Sequence, residues 1–107
     1  MRPLRHPLVP DNRGHRSPRF LLQLDERDRY LIKAARHFPG LSHRETARLL
    51  RCRLTIYRDG RWRRSRSEVW CPHPVDRIEA TLWAILKVRD HVPSERLIRA
   101  VLSRTEY

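Results

Sequence analysis

Ser42-His-Arg-Glu-Thr-Ala-Arg-Leu-Leu-Arg-Cys-Arg-Leu-Thr-Ile-Tyr-Arg-Asp-Gly60 is the stretch on which the fold turns. It opens with a capping box. Ser42 can accept from the backbone N–H three residues on, and Glu45 stands at that third position. Ala47, Leu50, Leu54 and Tyr57 then follow at spacings of three and four, one face of a helix. Arg44, Arg48, Arg51 and Arg58 fall within an arc of ~80° beside that apolar stripe, at about 100° per residue. Leu49, Cys52 and Ile56 form a second apolar strip on another side. The helix is therefore either buried on two sides or broken near Arg51–Arg53.

Three readings are open. A continuous helix ending near residue 59, with Gly60 as a positive-φ cap, is preferred, because one apolar face persists and no Gly or Pro marks a turn inside it. A broken helix would run from 42 to 50, turn, and restart near 54. A hairpin would use Asp59-Gly60 as a type I′ turn, but Arg61-Trp62-Arg63-Arg64 lacks alternating apolar residues.

Outward from this stretch, residues 1–19 hold Pro3, Pro7, Pro10 and Pro18 with arginines between them, and read as a disordered basic arm. Residues 20–107 read as a single helical domain. A first helix is expected to begin near Leu24-Asp25, with Asp25, Glu26 and Asp28 at its positive end and Pro39-Gly40 as its stop. Leu24, Leu31, Ala34, Ala35 and Phe38 lie on or near one face. Residues 61–74 read as a loop. A further helix is expected from about Val75 to Asp90, with Ile78, Leu82, Ile85 and Leu86 inward. Pro93-Ser94-Glu95 begins the last, with Leu97, Ile98, Val101 and Leu102 inward. The fold class is all-α, a small bundle of about four helices.

Leu41-Ser-His-Arg-Glu-Thr-Ala-Arg-Leu-Leu50 resembles the first helix of bacterial helix-turn-helix DNA-binding domains, with Ala47 as the small residue where two helices cross. The resemblance covers about 20 residues. Arg51 stands where that family usually has Gly at the turn, and Asp59-Gly60 interrupts the recognition helix early. Residues 85–99 also resemble a helix, a short turn and a second helix, with Arg96 and Arg99 outward.

Charge points to the partner. The chain has 107 residues and a net charge of +12. Residues 51–66 hold seven arginines against one aspartate, a net +6. Such a concentration repels itself unless an anion neutralises it, and nucleic acid is the commonest soluble polyanion. All but Lys33 and Lys87 of the 24 basic residues are arginine, which forms bidentate bonds to phosphate. A GC-rich codon usage accounts for that ratio equally well, but not for the clustering.

The candidate nucleic-acid-binding residues are Arg44, Arg48, Arg51, Arg58, Arg61, Trp62, Arg63, Arg64 and Arg66. Arginines would meet phosphate; Trp62 would either stack on a base or cover the edge of the core. DNA is favoured over RNA, for a small regulator or an accessory protein of a mobile element. An acidic protein surface is the other class of partner, and a second copy of the chain is a further one.

Other chemistry has less to stand on. Cys52, Cys71 and His73, with His43 or His91, are the conceivable zinc ligands. Structural zinc sites use close Cys-x₂₋₄-Cys pairs, and here the cysteines lie far apart in sequence. No Gly-rich phosphate loop or paired-carboxylate constellation is present, so neither enzyme nor cofactor is expected. Met-Arg-Pro-Leu-Arg-His-Pro lacks the apolar segment of a secretory signal. No apolar run reaches membrane-spanning length. The expectation is a cytoplasmic protein with reduced cysteines.

Overall fold

The first helix is nucleated by a Ser-Pro pair. Ser17 is the cap: its hydroxyl accepts from Phe20 N at 3.1 Å. Pro18 follows at the first helical position, where its missing N–H costs nothing. The computed structural model describes residues 17–104. Most of the expected basic arm, residues 1–16, lies outside the described residues.

Five helices stand among the described residues, with no strand. They are α1 (Pro18–Ala35), α2 (His43–Asp59), α3 (Arg61–Ser65), α4 (Ile78–Val88) and α5 (Glu95–Arg104). The fold is all-α, as the periodicity requires.

α1 begins well before the expected Leu24-Asp25 start, so residues 18 and 19 belong to the helix and Ser17 is its cap. The acidic residues consequently lie mid-helix, with none in the first turn. Asp25 and Asp28 make ion pairs instead of capping. Asp25 pairs with Arg29 at 3.0 Å. Asp28 accepts from the buried Arg27 at 3.0 Å and from Arg104 at 3.1 Å, tying α1 to the end of α5. The helix ends at Ala35 through tightened bonds from Arg36, His37 and Phe38 to carbonyls three residues back. Gly40, at φ +82°, then takes the left-handed turn that a side chain would resist.

α2 is unbroken through Arg51–Arg53. Ser42 accepts from Glu45 N at 3.1 Å, as the capping box implies. Its buried face is Thr46, Ala47, Leu50, Leu54 and Tyr57. The second apolar strip is neither buried nor broken. Cys52 and Ile56 face solvent, with Ile56 64% exposed. The hairpin is excluded here because residues 43–59 and 61–65 are both helical.

Gly60 does not take the expected positive φ; it sits at φ −119°, ψ −97°. The chain does not reverse there. It kinks and restarts at once as α3, within the segment expected to be loop. Trp62 and Ser65 face inward from α3. Trp83 Nε1 donates to Ser65 O at 3.0 Å, and Lys87 Nζ donates to Arg66 O at 2.7 Å. These bonds satisfy carbonyls that a helix end leaves open.

α4 is shorter than the expected 75–90. α5 begins where Ser94 accepts from Leu97 N at 3.1 Å. α1 packs chiefly along α4 and α2 along α5, and α3 bridges α2 to α4. The core between them comprises Leu31, Ala34, Ala47, Leu50, Leu54, Tyr57, Trp62, Ile78, Leu82, Trp83, Ile85, Leu86, Ile98, Val101 and Leu102. Leu97, expected inward, is exposed at the edge of this core. No described helix is long and apolar enough to cross a membrane.

Candidate nucleic-acid interface

Because α2 runs unbroken, Arg44, Arg48, Arg51 and Arg58 share one side of it, and all four are exposed. Their electrostatic environments differ. Arg48 forms an ion pair with Glu45 one turn earlier. Arg58 Nε donates to Asp90 Oδ1 at 2.7 Å, bridging α2 to the connection between α4 and α5. The Asp90 carboxyl is held below the usual carboxylate range, chiefly by this Arg58 bond, against a smaller opposing effect of burial. Arg44 and Arg51 have no carboxylate partner among the described residues.

α3 extends this surface beyond the Gly60 kink. Arg63, Arg64 and Arg66 are exposed and have no ion pair among the described residues. Arg61 lies 3.8 Å from Glu79, which is also 3.7 Å from Arg53. One carboxylate thus serves two arginines at distances too long for strong pairing. Beside it opens a groove of about 340 Å³, lined by Arg53, Ile56, Tyr57, Gly60, Arg61, Arg64, Glu79 and Leu82. Its lining combines three arginines and one glutamate with the apolar Ile56 and Leu82 and the ring of Tyr57.

Trp62 is not presented for stacking. Only 4% of its surface is exposed, and it belongs to the core. The α3 turn directs it inward because the arginines on either side take the solvent positions. The chain's accessible indole is Trp70, 82% exposed, in the segment joining α3 to α4. Periodicity does not single out Trp70. The signal is its setting, beside Cys71-Pro-His-Pro74, where no helix can draw an aromatic residue into the core.

That segment is anchored at His73. Tyr57 Oη and His73 Nε2 lie 2.6 Å apart, with the two rings edge to face at 5.6 Å. Tyr57 Oη also lies 3.3 Å from Ser65 Oγ. Burial pushes the Tyr57 phenol above its ordinary pKa.

The conceivable zinc ligands do not converge. Cys52 is exposed on α2, Cys71 is exposed in the α3–α4 segment, and His73 is engaged by Tyr57. His43 Nδ1 lies 3.4 Å from Ser103 Oγ. Among the described residues no group of three His, Cys, Asp or Glu side chains is placed to hold a metal ion.

Comparison with protein-family models, with curated proteins and with solved structures finds no match.

Proposed function

We propose that this chain is a non-catalytic nucleic-acid-binding protein, with DNA favoured as the ligand. One observation carries the reading. Arg51, Arg63, Arg64 and Arg66 belong to a stretch of net +6 and have no carboxylate partner among the described residues. Internal neutralisation is available in this chain, as Arg48 and Arg58 demonstrate. Arg63, Arg64 and Arg66 form no such pair among the described residues, whereas Arg61 has only the longer contact with Glu79. Unneutralised, closely spaced guanidinium groups match a phosphate backbone in charge and in hydrogen-bonding geometry.

Phosphate contacts carry no sequence information, so the reading extends to affinity and not to base specificity. RNA and an acidic protein surface offer related charge. Competition among duplex DNA, structured RNA and an acidic protein for the purified chain separates the three. Tighter binding to DNA with a steep salt dependence supports the reading; preference for the acidic protein overturns it.

A further inference from the structure

We infer that Trp70 is a stacking platform for an unpaired base, so that the preferred ligand contains single-stranded nucleotides. The inference rests on the nucleic-acid reading above and specifies the form of the ligand.

A tryptophan left 82% exposed forgoes the burial that its other two copies obtain; Trp62 and Trp83 are 4% and 8% exposed. Burying a large aromatic side chain is among the strongest contributions to a small core. Leaving one in water on a segment that is itself held down calls for an occupant. The segment is held down at both flanks of Trp70. On one side, Glu68 N donates to Ser65 O at 3.1 Å, and Lys87 grips Arg66 O. On the other, His73 meets Tyr57 Oη, and Arg77 N donates to Pro74 O at 3.1 Å. The indole lies between these anchors and is not packed against the helices.

Its immediate chain neighbours select the occupant. Arg63, Arg64 and Arg66 precede it by four to seven residues and are unpaired among the described residues. Glu68 is the one carboxylate between Arg61 and Trp70. Val69 and Val75, 75% and 81% exposed, are further apolar side chains that the same segment leaves in water. A flat apolar face beside a surplus of guanidinium groups is the pairing used for single strands, in which bases stack on aromatic rings and cations follow the phosphates. A duplex keeps its bases stacked on one another and offers such a ring nothing but its ends.

The test uses the full chain, an oligothymidylate, a blunt mixed-sequence duplex and a structured RNA. Tryptophan emission and the anisotropy of labelled oligonucleotides are read together. Trp70 is the accessible indole, so quenching on addition of oligothymidylate reports contact with it. Trp70→Ala should abolish the quenching and weaken single-strand binding about 5- to 150-fold. Duplex affinity should be unchanged, and Trp70→Phe should keep most of the single-strand affinity. Because Trp70 is exposed, the Ala variant should melt like the parent. Equal single-strand affinity in parent and Trp70→Ala, without quenching, would overturn the inference and leave the nucleic-acid reading standing. A blue shift that grows with protein concentration alone would overturn it too, by assigning the indole to self-association. Absence of binding to any of the three nucleic acids at low salt defeats both readings.

Discussion

Arg58 and Asp90 meet across the domain, with Nε donating to Oδ1 at 2.7 Å. An arginine that helical spacing places among phosphate-binding candidates is thereby committed to holding α2 against the α4–α5 connection. The same bond depresses the Asp90 pKa. The nearby Trp62 indole lowers it further, although its buried N–H completes no hydrogen bond. A carboxyl whose folded pKa lies below its unfolded value, ~3.9, contributes stability that is present above the unfolded value. That contribution is lost as pH falls through the folded value. Both side chains are nearly half exposed, so the pair is worth at most about 1 kcal/mol. Asp90→Asn should therefore lower Tm slightly at neutral pH, with the gap to the parent closing below about pH 4. Melting curves at several pH values check this; a gap that stays constant into acid would remove the bond from the stability of the fold.

The unpaired arginines should dominate the salt dependence of binding. Arg63→Ala, Arg64→Ala and Arg66→Ala combined should flatten the slope of log Kobs against log[salt]. The change is about 2.7 if all three meet duplex phosphates, and about 2.1 on a single strand. Arg58→Ala, which removes a cation already paired with Asp90, should change the slope less than any one of the three. Titration of a labelled oligonucleotide at several salt concentrations gives both numbers. An unchanged slope in the triple variant would place the interface elsewhere.

The α2 cap should be measurable in isolation. Ser42 accepts from Glu45 N, and its carbonyl accepts from Thr46 N at 2.9 Å. Ser42→Ala should cost about 1 kcal/mol in denaturant unfolding, whereas Ser42→Asp should keep most of the stability.

Ile85 and Leu54 are both fully buried in the core. Truncating either to Ala should cost roughly 2–5 kcal/mol, a large share of the stability of a domain this size. Ile56→Ala, on the exposed side of α2, should change the denaturation midpoint hardly at all. Equal losses at positions 54 and 56 would contradict the orientation of the helix.

The phenol of Tyr57 ties the α3–α4 segment to α2. Tyr57→Phe should cost about 0.5–1.5 kcal/mol and speed amide exchange around Cys71–His73. Because burial raises the phenol's pKa, the folded state holds this proton more tightly than the unfolded chain. The resulting stability is present below the unfolded pKa, about 10, and is lost as pH rises through the folded value. The parent should therefore lose stability above about pH 10 more steeply than Tyr57→Phe does. Parallel loss in both proteins would assign the alkaline transition to other groups.

Local structure was legible wherever the signal was local. Ser42 and Glu45 announce the start of α2, and Ala47, Leu50, Leu54 and Tyr57 announce its buried face; both need only one turn of backbone and a 3.6-residue period. Ser17-Pro18 is equally a helix-start signal, but the prolines before it and the acidic cluster at 25–28 point to a later start. Asp25 and Asp28 belong to ion pairs with Arg29, Arg27 and Arg104, and Arg104 is a partner from the far end of the chain.

The sequence by itself therefore determined an all-helical chain, the inward stripe of α2, and a concentration of arginine in residues 51–66. Only the tertiary structure decided which members of that concentration remain available. Arg58 is met by Asp90, Arg53 and Arg61 share Glu79, and Arg63, Arg64 and Arg66 meet no acid among the described residues. It likewise decided that Trp62 fills the core while Trp70 stands in water. The physical reason is the same in both cases. Periodicity records which side of a helix an atom occupies, but the pairing of charges and the burial of a ring depend on what distant segments bring to that side.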